Sequence, residues 1–415
     1  MAKLETLTAL DIGTSKVVCA IVEFSRDGEV DIVAKGVHHC RGLSGGALID
    51  CAATVEAIER AVSEAEKSGY TVGNVVVGVS SENLTSRYSQ GTVAVSGLDQ
   101  EITKEDINRV LGASRQVGVP AGSEILMVVP RGFAVDGQRG IVNPESLIGN
   151  RLEAEAYACL ATSAHLQNIR NAVGKAGLDI YDKGLVPAAL ASSLAVLTEE
   201  EKALGVMMVD IGLGTSDLAI YSENEIAYSR VCAMGGGLLA LDVAKSFNIS
   251  QAEAEGLILE EGLAGPQYLQ GQEGKQLTVQ SVSGDVKVTL TKRELAEVIE
   301  ARIDELGEWI KEQMETARER LDLNVSGVVL TGGASQLLGM PQKLHALLGA
   351  PVRVAAPCYP ARLPQSLASP IYSTVVGLLI YGVTCLPQSE ERSKKTGNYS
   401  MSWVQCAAEW LNKVF

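Results

Sequence analysis

Residues 208–218 read Met-Val-Asp-Ile-Gly-Leu-Gly-Thr-Ser-Asp-Leu, and residues 9–17 read Ala-Leu-Asp-Ile-Gly-Thr-Ser-Lys-Val. In each stretch an apolar run ends in an aspartate, and a turn of glycine and hydroxyl residues leads into a second apolar run. This pattern predicts two β-hairpins. Because the two stretches are alike and far apart in the chain, they indicate an internal duplication.

Both turns have the chemistry of a phosphate site. Their N–H and O–H groups can cradle a phosphate, and the aspartate can hold a hydrated Mg²⁺. One such loop is a weak signal, since an ordinary Asp-Gly turn looks the same, but two facing loops can hold the β- and γ-phosphates from both sides. Residues 328–335, Val-Val-Leu-Thr-Gly-Gly-Ala-Ser, add a double-glycine turn where the backbone can approach a flat ligand such as adenosine.

Composition narrows the class of protein. The 415 residues are 46% hydrophobic and 20% charged, enough for several domains with filled cores. A net charge of −15 disfavours nucleic acid as a partner. The first residues lack the pattern of a signal peptide, so we expect no export. The charge-free window 368–386 is expected to be a buried helix, because Pro370 leaves too few residues for a membrane span.

The order of apolar patterns predicts α/β layers with two insertions. The first insertion candidate spans residues 83–165 and the second, which is helix-rich, spans residues 235–323. The remaining predicted elements are a strand at 30–35, a helix at 53–66, a strand at 74–79, a strand at 91–96, a helix at 104–116, strands near Ile125 and Phe133, a hairpin at 277–290 and a helix at 292–321.

The three motifs, in this order and spacing, resemble those of the actin, Hsp70 and sugar-kinase superfamily, and no P-loop motif is present. Within it the chain resembles FtsA, the bacterial actin-like cell-division family, along nearly its whole length. The most diagnostic stretches are residues 10–17, 41–55, 103–111, 135–138, 151–156, 209–221 and 369–378.

The resemblance implies an α/β fold of the actin type, a duplicated, ribonuclease-H-like and two-lobed ATPase fold with an inserted subdomain 1C and a C-terminal amphipathic helix. The implied divisions are 1–83, 165–203 and 365–386 for subdomain 1A, 84–164 for 1C, 204–237 and 324–364 for 2A, 238–323 for 2B, 387–401 for a flexible linker and 402–415 for a membrane-targeting helix.

The resemblance also implies that ATP and Mg²⁺ are the cofactors. Asp11 and Asp210 would hold Mg²⁺ through water, and Asp210 and Asp217 would orient the attacking water. The nucleotide-binding residues would be Asp11, Gly13, Thr14, Ser15, Lys16, Gly212, Gly214, Thr215, Ser216, Gly235, Gly236, Gly332, Gly333 and Ala334.

Two departures from the family pattern bear on activity. Relatives carry a glutamate that positions the hydrolytic water where this chain has Ala188, and basic residues where it has Gly256 and Ile258. We therefore expect ATP binding with reduced affinity and at most slow ATPase activity.

The tail has the pattern of a membrane-surface helix. In residues 402–415 the apolar side chains share one arc of a helical wheel, and the helix is too short to span a bilayer. The residues predicted to contact lipid are Trp403, Val404, Ala407, Trp410, Leu411, Val414 and Phe415.

These features predict a filament-forming protein that anchors FtsZ, the tubulin-like division protein, to the cytoplasmic side of the cell membrane at the division site. The predicted partners are FtsZ, further copies of the chain, an anionic or neutral membrane surface and, through residues 84–164, other division proteins. The alternatives are a PilM-like pilus-assembly scaffold and a sugar or small-molecule kinase on the same fold.

Overall fold

The computed structural model describes residues 5–24, 30–282, 284, 286–358 and 363–393, with Leu98 and residues 386–393 described by backbone alone. The predicted lipid-contacting residues of the tail therefore lie outside the described residues, as does the second half of the predicted linker.

The described residues form strands and helices in alternation. The strands are β1 (Glu5–Ile12), β2 (Lys16–Phe24), β3 (Val30–His39), β4 (Leu43–Ser44), β5 (Ala47–Leu48), β6 (Asn74–Val79), β7 (Thr85–Ala94), β8 (Ser123–Val135), β9 (Gln138–Ile141), β10 (Arg151–Thr162), β11 (Asp179–Pro187), β12 (Val206–Ile211), β13 (Ser216–Ser222), β14 (Glu225–Cys232), β15 (Gln276–Gln280), β16 (Lys287–Thr291), β17 (Val328–Thr331) and β18 (Val352–Val354). The helices are α1 (Cys51–Glu66), α2 (Lys104–Ser114), α3 (Ser163–Lys175), α4 (Ala188–Val196), α5 (Glu199–Leu204), α6 (Gly236–Phe247), α7 (Gln251–Glu261), α8 (Lys292–Leu321), α9 (Met340–Leu348) and α10 (Ser373–Ser393).

Two sheets repeat one topology, as the duplicated hairpins predict. The first sheet has the order β3-β2-β1-β6-β11, and the second contains β14-β13-β12-β17-β18 in the corresponding places. In both, the three leading strands pair antiparallel and the last two add in parallel. We call the body around the first sheet lobe 1 and the body around the second lobe 2.

Each lobe has its own apolar core. The lobe 1 core includes Leu10, Ile58 and Leu190, and that of lobe 2 includes Met207, Leu295 and Ile303. The 30-residue helix α8 begins with a capping box between Thr291 and Glu294, which satisfies N–H groups of its first turn. Its apolar face lies in the lobe 2 core, as the helical periodicity of residues 292–321 predicts.

The first insertion is built of β7, α2, β8, β9 and β10, and this unit is called the insertion below. Where two strands were expected near Ile125 and Phe133, β8 runs through both. Pro130 does not interrupt it, because β9 pairs only with Phe133 and Val135, leaving one edge of β8 open at the proline. A small core around Ile102, Val110 and Leu152 holds α2 on this sheet.

The insertion contacts lobe 2 as well as the lobe 1 segments from which it extends. A single backbone pairing, Arg230 with Thr85, joins β14 to β7, so that one nine-stranded sheet runs from β18 to β9. Arg131 forms an ion pair with Glu225 at 3.4 Å, and the Ser86 hydroxyl donates to the carbonyl of Ser229. The insertion therefore connects the two lobes.

The C-terminal helix α10 packs its charge-free part inside lobe 1, with Val375, Val376 and Leu378 fully buried. The expectation of a buried helix is thus confirmed. No helix within the described part of the chain combines the length and apolarity that a bilayer span requires. The prediction of a flexible linker from residue 387 is wrong for its first seven residues, because α10 continues to Ser393 through a stretch rich in good helix formers.

Candidate nucleotide-binding site

The two predicted phosphate loops close with the same turn. The Gly13 N–H donates to the carbonyl of Lys16 at 3.0 Å, and the Gly212 N–H donates to the carbonyl of Thr215 at 2.9 Å. A side chain at either glycine would crowd the carbonyl of its own turn. The duplication therefore extends to the individual hydrogen bond that shapes each loop.

The two loops lie on opposite sides of the cleft between the lobes, and they are in contact at Gly214 and Thr14. A Cβ atom at Gly214 would lie 2.3 Å from Oγ1 and 3.0 Å from Cβ of Thr14. Only glycine permits this approach, since real Cβ atoms do not come so near other heavy atoms. Thr14 and Ser15 are themselves partly exposed at the gap.

Four charged residues at this gap influence one another. Burial and the nearby Asp210 raise the pKa of Asp11 to about 7, against a smaller lowering by Lys16. Burial, and then Asp210, raise the pKa of Asp217 to about 7. Burial lowers the pKa of Lys16, and Lys35 adds to that lowering while Asp11 opposes it. The site thus holds more buried negative charge than Lys16 alone offsets.

Asp210 is held by hydroxyl groups from two lobe 1 helices. Ser192 of α4 and Thr374 of α10 both donate to its Oδ2, Thr374 at 3.0 Å. These bonds partly offset the burial that raises the pKa of Asp210. Its other oxygen lies over Gly332, where a Cβ atom would come within 2.3 Å of Oδ1. The double-glycine turn therefore packs directly on the second loop's carboxylate.

Asp217 belongs to a triangle of three oxygen atoms. Its Oδ2 lies 2.8 Å from the Ser80 hydroxyl and 2.9 Å from the Thr215 hydroxyl, and the two hydroxyls are 3.0 Å apart. The carboxylate is 4% exposed, and its Oδ1 has no hydrogen-bond partner among the described residues. The two hydroxyl groups have two protons to donate, which is enough for two of the three contacts. The third contact becomes a hydrogen bond only when the carboxyl group is protonated and donates as well.

The glycine-rich start of helix α6 packs against the second loop. The N–H groups of Gly236 and Gly237, in the first turn of α6, donate to the carbonyls of Gly212 and Leu213 at 2.9 and 2.8 Å. A Cβ atom at Gly235 would collide with those same carbonyls, and one at Gly236 would lie 3.2 Å from the Ala334 methyl group. The structure thus brings the α6 glycines, the second loop and the double-glycine turn together.

Lys16 shares an aromatic neighbour with Lys35. The two ammonium groups lie 4.8 and 4.5 Å from the centre of the Tyr372 ring, within the range of cation–π attraction. Lys35 also donates to the carbonyl of Ser366 at 3.0 Å. Lys16 is thereby held beside the loop on which the sequence places it.

The residues present fit a magnesium–nucleotide complex. Buried carboxylates with raised pKa values and an unpartnered oxygen on Asp217 gain from a nearby cation. The described part of the chain contains no group of three acidic, histidine or cysteine side chains able to hold a metal by themselves. A Mg²⁺ ion at this site would need phosphate oxygens and waters to complete its octahedron, as is usual for this ion.

The three residues at which the sequence departs from the family pattern have different surroundings. Ala188 is buried at the first position of α4, one turn before Ser192, and its methyl group offers no hydrogen bond. Gly256 on α7 has open space where a side chain would begin. Ile258 of the same helix packs against the lobe 2 core.

Some predicted residues have other partners, and some contacts were not predicted. Ser216 is fully buried, and its hydroxyl donates to the carbonyl of Met234 at 2.6 Å. Ser80 was not singled out in the sequence, since it follows β6 without any motif. Thr374 lies in the stretch 369–378 that carries the resemblance, and Ser192 lies four residues after Ala188, but nothing local to either residue points to Asp210.

A duplicated α/β fold with two aspartate loops facing across a cleft defines the class of actin-like proteins. Solved structures of this class are similar to the chain. A chain of the PilM–PilN type IV pilus biogenesis complex aligns with a TM-score of 0.61 at 20% identity, covering 91% of this chain and 98% of that one. MreB5 of Spiroplasma citri bound to AMPPNP aligns with a TM-score of 0.58 at 14% identity, covering 94% and 99%.

Sequence comparison narrows the class to one family. A model described as "SHS2 domain inserted in FTSA" matches residues 81–159, and one described as "Cell division protein FtsA" matches residues 207–377. Cell division protein FtsA of Pseudomonas aeruginosa is 35% identical over 95% of this chain and 93% of its own length, and that of Escherichia coli K12 is 33% identical over 99% and 98%. The chain belongs to the FtsA family of cell division proteins, which favours the division role over the pilus and kinase alternatives.

Proposed function

We propose that this chain binds ATP with Mg²⁺ between its lobes, assembles with further copies of itself, and anchors FtsZ to the cytoplasmic side of the cell membrane at the division site. The observation that carries the nucleotide part is the pair of touching loops, with Asp11 and Lys16 on one and Asp210 and Asp217 on or beside the other.

Each group has a stated role in this proposal. Asp11 and Asp210 hold the waters of a hydrated Mg²⁺, which supplies positive charge to the phosphates, and Lys16 adds a second cation. The N–H groups of the two loops and the hydroxyls of Thr14 and Ser15 contact phosphate oxygens. Asp217 accepts a hydrogen bond from the attacking water, and hydrolysis is slow because Ala188 contributes no second acceptor.

Nucleotide binding is tested with a fluorescent ATP analogue, titrated with and without Mg²⁺ against the full chain and the Asp210→Ala variant. We expect Mg²⁺-dependent binding that the substitution weakens by roughly a hundredfold, because it removes a buried carboxylate from the cation's surroundings. Asp179→Ala is the matched control, since Asp179 is exposed at the start of β11. Equal binding by all three proteins would contradict the proposed site.

The membrane part is supported by the sequence of residues 402–415, which lie outside the described residues. It is tested by sedimentation with lipid vesicles, comparing the full chain with Trp410→Asp on the apolar arc and Gln405→Asp on the polar arc. We expect Trp410→Asp to lose at least tenfold in vesicle binding and Gln405→Asp to lose little, because only the former places a charge in the acyl region. Equal losses would contradict an interfacial helix.

The FtsZ part is supported by family membership alone. Purified FtsZ, added to the same vesicles, should sediment with them only when this chain is present with Trp410 intact. Sedimentation of FtsZ that ignores the Trp410→Asp substitution would contradict the anchoring role. A filament-forming chain would also bind vesicles cooperatively, since tails on one filament act together.

A further inference from the structure

Ser80 is the described lobe 1 side chain that reaches Asp217. It follows β6, the central parallel strand of lobe 1, whereas Thr215 and Asp217 lie at the start of β13 in lobe 2. Its hydroxyl is 2.8 Å from Asp217 Oδ2 and 3.0 Å from Thr215 Oγ1. The triangle therefore joins the two lobes, and a separation of the lobes would break it.

The surroundings of the triangle leave Ser80 little freedom. A Cβ atom at Gly46 would lie 2.8 Å from the Ser80 carbonyl oxygen and 3.0 Å from the Thr215 methyl group. The β4–β5 hairpin thus covers the triangle through a glycine. With Oδ2 bound by two hydroxyls, the carboxylate plane of Asp217 is fixed, and Oδ1 is the oxygen left without a partner.

We propose that Ser80 is a positioning residue, whose hydroxyl fixes the orientation of the Asp217 carboxylate toward the attacking water while the two lobes are in contact. This inference rests on the proposed nucleotide function. Ser80 thereby contributes to positioning the water, a role for which the buried methyl group of Ala188 has no hydrogen-bonding atom. Hydrolysis is then linked to lobe closure, because the second lobe's acceptor is oriented by the first lobe's donor.

The test compares the full unmodified chain with Ser80→Ala, Ser80→Thr and Ser81→Ala. Ser81 is the matched control, since its side-chain oxygen is hydrogen-bonded to Asn83 and not to a carboxylate. Two quantities are measured for each protein, the dissociation constant of Mg²⁺-ATP and the rate of a single turnover at saturating ATP.

We expect Ser80→Ala to slow the single turnover roughly tenfold, the usual effect of deleting a hydrogen bond to a charged group, while the dissociation constant changes less than about twofold. Ser80→Thr retains a hydroxyl and should restore most of the rate, and Ser81→Ala should leave both quantities unchanged. A merely structural role would lower affinity and rate together and would not be rescued by threonine.

The remaining outcomes distinguish a failure of the role of Ser80 from a failure of the proposed nucleotide binding. A normal turnover rate for Ser80→Ala, or a loss of rate and affinity that threonine does not restore, would overturn the role of Ser80 alone. Binding without any turnover by the unmodified chain would overturn the role of Ser80 and leave nucleotide binding intact. Absence of Mg²⁺-ATP binding by the unmodified chain would overturn the proposed nucleotide function as well.

Discussion

The first and second phosphate loops share a backbone and differ in what surrounds their carboxylates. Among the described residues no side chain donates a hydrogen bond to Asp11, whose main compensation is the charge of Lys16. Asp210 instead receives two hydroxyl donors and lies against Gly332. Where the first loop has Lys16 and Val18, the second has Thr215 and Asp217. The duplicated halves thus divide the work, with charge supplied by one and geometry by the other.

The largest effect is expected when a methyl group is added next to the Asp210 carboxylate. Gly332→Ala should cost on the order of 3 kcal/mol of unfolding free energy, because position 332 has φ +83° and its Cβ would lie 2.3 Å from Asp210 Oδ1. Denaturant unfolding measures the loss. Gly333→Ala is the matched control, with φ −63° and a nearest neighbour at 3.6 Å. Similar costs at both positions would contradict the tight packing described.

Removing the cation of the first loop should have the next largest effect. Lys16→Met should weaken Mg²⁺-ATP binding roughly thirtyfold, because phosphate charge then meets buried carboxylates without the nearby ammonium group. Lys35→Met should weaken it only about twofold, since the Lys35 ammonium group is engaged with the Ser366 carbonyl and the Tyr372 ring. Isothermal titration of both variants measures this difference, and equal losses would reject the special role of Lys16.

The contact between the loops offers a smaller test. Gly214→Ala should weaken nucleotide binding by roughly tenfold while unfolding free energy changes little, because the added methyl group meets Thr14 and keeps the lobes apart. Normal affinity for Gly214→Ala would mean that the observed loop contact is not needed for binding.

Stability should also depend on pH, and both halves contribute to this dependence. Because Asp11 and Asp217 have pKa values of about 7 in the folded protein and near 4 when unfolded, the folded state binds more protons between these values. The contribution of these two carboxyls to the stability of the nucleotide-free protein should therefore fall as pH rises from about 4 to 7, on the order of 1 kcal/mol per pH unit for each carboxyl.

Substitution separates the two contributions to that slope. Asp11→Asn and Asp217→Asn should each flatten the dependence of unfolding free energy on pH, and the double variant should flatten it most. Denaturant unfolding at several pH values measures the slope. If both variants kept the slope of the unmodified chain, the two carboxyls would be ionised in the folded state.

Much of the fold follows from patterns that the sequence carries locally. The paired hairpins, the α8 helix and the buried part of α10 each have a periodicity or a turn motif within one continuous stretch. The same is true of Asp11, Asp210 and Gly332, because the turn motif that identifies each residue is adjacent to it in the sequence.

What the sequence does not reveal is which distant hydroxyl meets which carboxylate. Ser80, Ser192 and Thr374 are ordinary residues in their own segments, and each gains its role from a partner at least 18 positions away. The extent of α10 was missed for a different reason. Polar composition after Leu386 indicated a linker, although the same residue types are also good helix formers.

The bridge between the insertion and β14 has a mechanical consequence. The insertion is joined covalently to lobe 1 and is held on lobe 2 by one backbone pairing, the Arg131–Glu225 ion pair and a few hydroxyl contacts. A force applied to the insertion therefore acts on both lobes. The single backbone pairing between Thr85 and Arg230 is where the insertion would first separate from lobe 2 under such a force. A force applied to the insertion from outside would therefore strain the cleft between the lobes, where we propose that the nucleotide binds.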